Sequence, residues 1–415
     1  MMFTCSPACA DLTHRHGVRG AYAGDDGPME DARSAQSPRS AAARIKPAPA
    51  AKSGAKAKPA STKRSATIKT VPRRKGGLAR VDIHCHYFNP EVGAQVASLN
   101  PNQYEPSVQF ADAFTREVNV AQMRDRAPKL SSIDVRLRDM DRMGIDIQAV
   151  SPAPFQYYYW AEPDLGASLA AQVNDRIASI VADHPDRFVG LGTVPLQNPQ
   201  LAVMELERAV GSLGLRGIEI CTNVNGLNLT DPQLGLEPFF KRVQELGVVL
   251  FMHPNGFTHA DRLTHHYLNN VIGNPLESTI AVSHLIFDGV MERNPRLKIV
   301  VAHSGGYLAH YWARMDHAHR ARADLRTVIS RRPSSYLKRF YFDTITFDPD
   351  MLRHLITRWG AEHVLLGTDY PYDMGEDDPL GLIASVKRLT RAERDAIEGG
   401  NAAKLLRIKP AKVRS

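Results

Sequence analysis

Short runs of apolar residues alternate with longer stretches of mixed character from Val81 to the end of the chain. The short runs are rich in β-branched residues, and the longer stretches repeat apolar residues at three- and four-residue spacing before a Gly or Pro. Strands therefore alternate with helices, as in repeated strand–helix units. The predicted strands span residues 81–87, 145–152, 188–195, 217–223, 248–254, 298–305, 340–346 and 364–371. Eight such units predict an α/β fold, a (β/α)₈ barrel of the TIM type rather than an open doubly wound sheet.

The charged residues are distributed unevenly. Residues 1–79 hold fifteen of the 52 basic and five of the 44 acidic residues, so the rest of the chain is close to neutral. This segment is rich in Ala, Pro, Lys and Ser and poor in large apolar residues, which predicts a disordered basic extension. The barrel is then expected at 80–408 and a short tail at 409–415. Since the positive charge is confined to the extension, we do not expect nucleic acid as a partner.

The remaining composition narrows the class of protein further. The four cysteines are few and scattered, which favours a reducing compartment, and a cytoplasmic location is predicted. The sequence has no signal-peptide pattern and no run of apolar residues long enough to span a membrane, so no membrane partner is expected. No glycine-rich phosphate-binding motif follows any predicted strand, which argues against the common nucleotide-binding folds.

Histidines and an aspartate lie near the ends of four predicted strands. His84 and His86 end the first strand, where alternation directs residues two apart to the same face. His253 ends the fifth strand, His303 lies near the end of the sixth, and Asp369 near the end of the eighth. Because barrel enzymes build their sites at the carboxyl ends of the strands, these five side chains are expected to meet.

This set of residues predicts a metal site. Imidazole and carboxylate ligands suit one divalent ion, with Zn²⁺ the first choice and Mn²⁺ the alternative. We assign His84, His86, His253 and Asp369 as its ligands. His303 is expected to remain free as a general acid or base, with Asp369 also catalytic. No lysine ends a predicted strand, which favours a single metal over a lysine-bridged pair.

Longer stretches carry a resemblance to a known family. They are DIHCH, VRLRDMDRMGIDIQAVSPAPFQYYYWAEPD, RFVGLGTVPLQNPQLAVMELERAV, NPLESTIAV, KIVVAHSGG, VLLGTDYPYDMGE and GNAAKLL. On these residues the chain resembles the amidohydrolase-2 branch of the amidohydrolase superfamily over residues 80–408, and within it the 2-amino-3-carboxymuconate-6-semialdehyde decarboxylases. The resemblance implies the same four metal ligands and the same acid–base role for His303.

The resemblance also implies substrate contacts and an assembly. Counting back from Asp141, the arginine that grips a substrate carboxylate in this family corresponds to Arg124, with a solvated loop charge as the alternative. Arg314 and Arg322 occupy places similar to those of arginines that reach into a neighbouring subunit. A homodimer is therefore expected.

One departure from the family bears on the substrate. The close decarboxylases read H-P-W-D after strand five, whereas this chain reads H-P-N-G, so the aminocarboxymuconate substrate is not assigned. Asn255 lies in this changed motif and is expected to contact the substrate. Phe257, Tyr159 or Trp160 is expected to stack on it, with packing in the core as the alternative for each aromatic ring.

Three functions are compatible with these residues. The first is metal-dependent, non-oxidative decarboxylation of an aromatic or unsaturated, muconate-like carboxylic acid, which would make the protein a carboxy-lyase. The second is a metal-dependent hydrolase or hydratase acting on a ring-cleavage product, a lactone or an amide, because the same ligands can direct hydroxide at a carbonyl. The third is a non-catalytic barrel that binds metal or nucleic acid.

Overall fold

The computed structural model of the chain describes residues 78–408. The predicted tail and all of the predicted basic extension except Leu78 and Ala79 lie outside the described residues. Those two segment boundaries therefore stay predictions.

Eight parallel strands form one sheet in which each strand pairs with the next along the chain. They are β1 (Val81–Tyr87), β2 (Ile147–Pro152), β3 (Phe188–Gly192), β4 (Gly217–Cys221), β5 (Val249–His253), β6 (Lys298–Val301), β7 (Tyr341–Asp343) and β8 (Val364–Leu365). A parallel bridge between Cys85 and Tyr370 joins β1 to the segment after β8. The sheet thus closes on itself, and the predicted TIM barrel is confirmed.

Helices connect the strands. The α-helices span Pro90–Val96, Pro106–Gln109, Ala113–Ser131, Ile133–Met143, Pro163–Asp183, Pro199–Glu207, Glu237–Leu246, Asn274–Phe287, Val290–Arg293, Leu308–Tyr311, Ala313–Ala321, Pro333–Leu337, Pro349–Trp359, Pro379–Ser385, Arg391–Asp395 and Asn401–Leu405. Two helices end, as expected for amphipathic stretches that precede a glycine, at C-caps where the glycine is left-handed, Gly144 with φ 74° and Gly247 with φ 62°. Glycine adopts this conformation without the steric penalty of a Cβ atom, which explains why the helices stop there.

The sixth and eighth strands are shorter than predicted. The sixth strand was expected to reach residue 305 but ends at Val301, and the eighth was expected to reach residue 371 but ends at Leu365. His303 and Asp369 have φ values of 54° and 55°, in the left-handed region. A residue in that region cannot continue a strand, so the apolar pattern overestimated both lengths.

Two apolar clusters stabilise the fold. One takes residues from six strands around the barrel and fits a packed interior; it contains Val81, Ile83, Ala149, Leu191, Val249, Phe251, Val300 and Leu365. The larger one joins the strands to the helices, for example through Ile220, Leu250 and Phe240. The strands are thereby covered on both faces, and their polar ends are held on a rigid frame. Within residues 78–408, none of the helices could cross a membrane.

Candidate active site

Four buried side chains meet at the carboxyl ends of the strands. His84 and His86 come from β1, His253 from the last position of β5, and Asp369 from the segment after β8. One potential ligand atom from each lies within 4.8 Å of the others. The structure thus brings together the four residues that the sequence predicts as metal ligands.

Hydrogen bonds fix the two imidazoles of β1. The Nδ1 atom of His84 lies 2.7 Å from Oδ2 of Asp343, and Nδ1 of His86 lies 3.1 Å from the carbonyl oxygen of Pro152. Both rings therefore turn Nε2 towards Asp369, whose Oδ1 lies 3.3 Å from His84 and 3.1 Å from His86. An outer carboxylate or carbonyl that holds the far ring nitrogen is typical of metal-binding histidines.

Unsatisfied polar atoms show that a cation fits this group. Both ring nitrogens of His253 are buried and make no hydrogen bond with the described residues, and the buried Oδ1 of Asp369, although 3.1 Å from Nε2 of His86, lacks hydrogen-bond geometry to it. A buried polar atom without a partner destabilises the folded state, so such atoms need an explanation. A divalent ion facing three imidazoles and one carboxylate supplies it, and this donor set suits zinc or manganese.

The charges of the site are strongly coupled. Burial favours the neutral form of His84, but the carboxylates of Asp369 and Asp343 outweigh burial and raise the pKa of His84 to about 10. Burial and the neighbouring imidazoles hold the pKa of His253 well below its usual range. Asp369 is buried too, yet His84, His303 and His86 hold the pKa of this carboxyl well below its usual value. The site therefore keeps a carboxylate that is ready to bind a cation.

His303 lies beside this group without belonging to it. Its ring centre is 4.8 Å from that of His253, and its Nε2 atom is 3.5 Å from Oδ2 of Asp369. Its Nδ1 atom is buried without a hydrogen-bond partner among the described residues. The left-handed backbone of His303 is unusual for a residue other than glycine, and such strain is found mainly at functional sites.

Two acidic residues at the site were not predicted. Asp343 ends β7, and besides holding His84 it accepts hydrogen bonds from the backbone N–H groups of His303 at 2.9 Å and Ser304 at 2.7 Å. Glu219 on β4 is buried, and its Oε1 atom lies 3.6 Å from Nδ1 of His86. Both lie in predicted strands, so an acid near a strand end was the signal that could have identified them.

A cavity of about 600 Å³ opens above the four residues and is large enough for a substituted aromatic ring. His253, His303 and Asp369 line it together with the predicted contact residue Asn255. Arg126 also lines it, and the Nε atom of Arg126 is buried without a partner among the described residues. The cavity is therefore lined both by residues of the cluster and by the guanidinium of Arg126, which can bind a carboxylate.

A second cavity, of about 500 Å³, adjoins the first. Trp160 lines this second cavity and stacks on Tyr104, with ring centres 4.7 Å apart. Four residues line both cavities: Glu105, Pro154, Tyr158 and Asn255. Tyr159 lines the second cavity as well, so the structure places the predicted contact residues Tyr159 and Trp160 beside the metal-site cavity and not in it.

The other predicted contact residues do not line either cavity. Arg124 is exposed, and it sits on the helix Ala113–Ser131 two positions from Arg126, which faces the cavity instead. Phe257 is half-buried but does not line either cavity. Arg314 and Arg322 are exposed, and Arg322 pairs with Asp324 at 2.7 Å. The homodimer in which these two arginines would act stays a prediction.

The closed barrel with three imidazoles and a carboxylate at its strand ends defines a class of barrel proteins with a single-metal site. The Amidohydro_2 family, described as amidohydrolase, matches residues 81–408. The chain belongs to this family.

Individual relatives share most of their length with this chain. The 2-amino-3-carboxymuconate-6-semialdehyde decarboxylase of Dictyostelium discoideum is 39% identical over 280 residues, which cover 67% of this chain and 77% of that protein. The solved structure of 5-carboxyvanillate decarboxylase from Sphingomonas paucimobilis matches with a TM-score of 0.71 and 27% identity, covering 80% of this chain and 100% of the other.

A third relative was solved with ligands. It is the dihydroxybenzoic acid decarboxylase of Polaromonas sp. JS666, with bound manganese and the inhibitor 2-nitroresorcinol. It matches with a TM-score of 0.69 and 25% identity, and covers 81% of this chain and 98% of the other. All three relatives are named as decarboxylases, which supports the prediction of a carboxy-lyase.

Proposed function

We propose that this protein catalyses the metal-dependent, non-oxidative decarboxylation of an aromatic carboxylic acid. The observation that carries the proposal is the cluster of His84, His86, His253 and Asp369 at one wall of a ring-sized cavity. The relatives support the reaction, since their names describe decarboxylases that act on muconate, vanillate and dihydroxybenzoate acids.

The four cluster residues would hold one divalent ion, manganese or zinc. When bound, such an ion supplies Lewis-acid chemistry and neutralises negative charge on an oxygen of the substrate. The buried carboxylate of Asp369 and the unpartnered imidazole of His253 provide ligands that need no rearrangement.

The proton is the part of the reaction that the protein itself must supply. When the bond between the ring and the carboxylate breaks, its electron pair remains on the ring carbon, which must take up a proton as CO₂ leaves. His303 lies at the cavity with one ring nitrogen unpartnered among the described residues and the other 3.5 Å from Asp369. We assign it the transfer of that proton.

Orientation of the acid is assigned to Arg126 in place of Arg124. Arg126 lines the cavity and has a buried, unpartnered Nε atom, whereas Arg124 is exposed. A planar guanidinium can bind a carboxylate through two parallel hydrogen bonds, which fixes the plane of the substrate.

The test measures CO₂ release by the manganese-loaded protein from a panel of hydroxybenzoates, vanillate-type acids and muconate-type acids. We expect release from at least one aromatic acid and its loss after chelation, with recovery on adding metal back. His303→Gln should lower kcat by roughly 10²–10⁴-fold while metal content stays the same. Incorporation of labelled water into product without CO₂ would favour a hydrolase, and inactivity of metal-loaded protein on the whole panel would contradict the proposal.

A further inference from the structure

Glu105 is a buried carboxyl between the two cavities. Its side chain is 6% exposed and lines both the metal-site cavity and its neighbour. Its backbone is fixed, because its N–H donates to the carbonyl of Asn102 at 3.3 Å and its own carbonyl accepts from Val108 and Gln109 at 2.9 Å. The part of the main chain that carries the carboxyl is therefore held in place.

The carboxyl of Glu105 has few partners for a buried acid. Asn255 donates a hydrogen bond to its Oε2 atom, and Ser107 donates to Oδ1 of the same asparagine at 3.4 Å. Within residues 78–408, Glu105 forms no ion pair, and its Oε1 atom, which accepts no hydrogen bond there, is not sealed in the protein but open to the cavities that Glu105 lines. Burial raises the pKa of Glu105 to about 7, although the hydrogen bond from Asn255 acts in the opposite direction and lowers it. A buried carboxyl with a shifted pKa and one oxygen open to a cavity is a candidate for contact with a ligand.

The chemistry of the missing partner follows from the group. An ionised carboxylate accepts hydrogen bonds and cannot donate them. The partner that a ligand could offer to Oε1 of Glu105 is therefore a hydrogen-bond donor. Asn255 follows the metal ligand His253 by two residues and lines the same cavity, which places the carboxyl on a wall that a bound ring would face. A hydroxyl or amino group on that ring would supply the donor, whereas a methoxy group would leave the carboxylate unpaired.

We propose that Glu105 is a specificity-determining residue whose carboxylate accepts a hydrogen bond from a hydroxyl or amino group on the ring of the substrate. The proposal rests on the proposed function, since it takes the ligand to be an aromatic acid. It concerns the choice among acids and leaves the chemical step to the metal site and His303.

The test compares pairs of ligands that differ in a single group. Salicylates carrying either a hydroxyl or a methoxy group at one further ring position are titrated calorimetrically into full-length, manganese-loaded protein at about pH 8.5, where the Glu105 carboxylate is ionised. For any acid that the protein converts to product, the preference is measured as a ratio of kcat/KM values instead of a ratio of affinities. At one ring position or more, the wild-type protein should prefer the hydroxyl compound by tenfold or more.

Two variants remove the acceptor in different ways. Glu105→Gln keeps the shape but loses the charge, and its amide can donate to a methoxy oxygen. Glu105→Asp keeps the charge but withdraws it by one methylene. We expect each to reduce the preference to less than threefold. Glu91→Gln, which alters an exposed acid in the helix Pro90–Val96, should leave the preference unchanged.

The outcomes separate this proposal from the proposed function. The preference is a ratio of affinities, so it can depend on Glu105 even if the protein releases CO₂ from none of the acids. If the wild-type protein binds no acid or prefers no hydroxyl compound, or if both folded Glu105 variants keep the wild-type preference, then Glu105 does not determine specificity. Thermal melting by circular dichroism establishes that each variant is folded.

Discussion

At the scale of single residues, Glu105 links the site to the stability of the protein. Burial raises the pKa of Glu105 to about 7 from the ordinary value of 4.5. Between these two values the folded protein keeps a proton at Glu105 that the unfolded chain has released. The contribution of this group to the free energy of unfolding therefore falls as pH rises through that range.

The change Glu105→Gln should remove this pH dependence. Relative to the wild type, the variant should gain free energy of unfolding on the order of 3 kcal/mol between pH about 4.5 and about 8, because a shift of one pKa unit corresponds to roughly 1.4 kcal/mol. Urea unfolding of both proteins at the two pH values measures this gain. Glu91→Gln is the control, and an equal difference between variant and wild type at both pH values would contradict the prediction.

The sequence could predict those site residues that follow a local rule. His84 and His86 alternate along one strand, and His253 ends another, so their direction follows from strand geometry. Glu105 lies in a long connection between β1 and β2, where no periodicity fixes the direction of a side chain. Its hydrogen-bond partner Asn255 lies 150 residues further along the chain, and such a contact is set by tertiary packing alone.

At the scale of elements, the face of the helix Ala113–Ser131 decides which arginine reaches the cavity. Residues two apart on a helix point in nearly opposite directions, so Arg124 and Arg126 cannot share a role. Apolar residues such as Phe114 and Val120 are exposed on this helix, at 73% and 61%. The apolar pattern was therefore a poor guide to its inner face, and the prediction of Arg124 rested on counting alone.

The pair offers a matched test. Arg126→Lys should raise KM about tenfold or more, because an ammonium group cannot form the paired hydrogen bonds of a guanidinium to a carboxylate. Arg124→Lys, two positions away on the same helix, should leave KM within about twofold of the wild type. Steady-state kinetics on an acid from the active panel measures both, and the reverse result would restore the original assignment of Arg124.

The end of strand β7 supports the metal site from outside. Asp343 holds the far nitrogen of His84 at 2.7 Å and accepts from the backbone of His303 at 2.9 Å. Asp343→Asn should weaken manganese affinity by about 10–100-fold, as expected when an outer partner of a metal-binding histidine is lost. Competition with a fluorescent chelator measures the affinity.

Asp348→Asn is the control for this change. It alters another aspartate, which caps the helix Pro349–Trp359 and makes no contact with the four ligands. A matching loss of affinity in both variants would mean that Asp343 acts through general stability and not through His84.

At the scale of the whole molecule, the four ligands connect distant parts of the barrel. They come from β1, β5 and the segment after β8, so a bound ion would link the start, middle and end of the described chain. The barrel itself could be predicted from the sequence, because eight apolar runs separated by amphipathic stretches predict eight strands with helices between them. The strand lengths could not, since the left-handed backbones of His303 and Asp369 have no signature in an apolar pattern.

Removal of the metal should therefore lower the thermal stability. An ion that binds only the folded state at hundredfold excess over its Kd stabilises it by about 2.7 kcal/mol. In a domain of this size the loss corresponds to a fall in Tm of roughly 4 °C. Differential scanning calorimetry with and without chelator measures it. The variant His253→Ala should have the same Tm with and without chelator. A wild-type Tm that does not change on adding chelator would contradict the prediction.

The closure of the barrel also sets the order in which the protein can become active during synthesis. The backbone N–H of Asp369 donates to the carbonyl of His84 at 2.8 Å. The barrel therefore closes, between β1 and the segment after β8, at the point where three of the four ligands lie. A nascent chain still on the ribosome carries its three imidazoles long before the carboxylate emerges from the exit tunnel. A truncated product ending before residue 369 would thus be an incomplete chelator, with three of the four ligands.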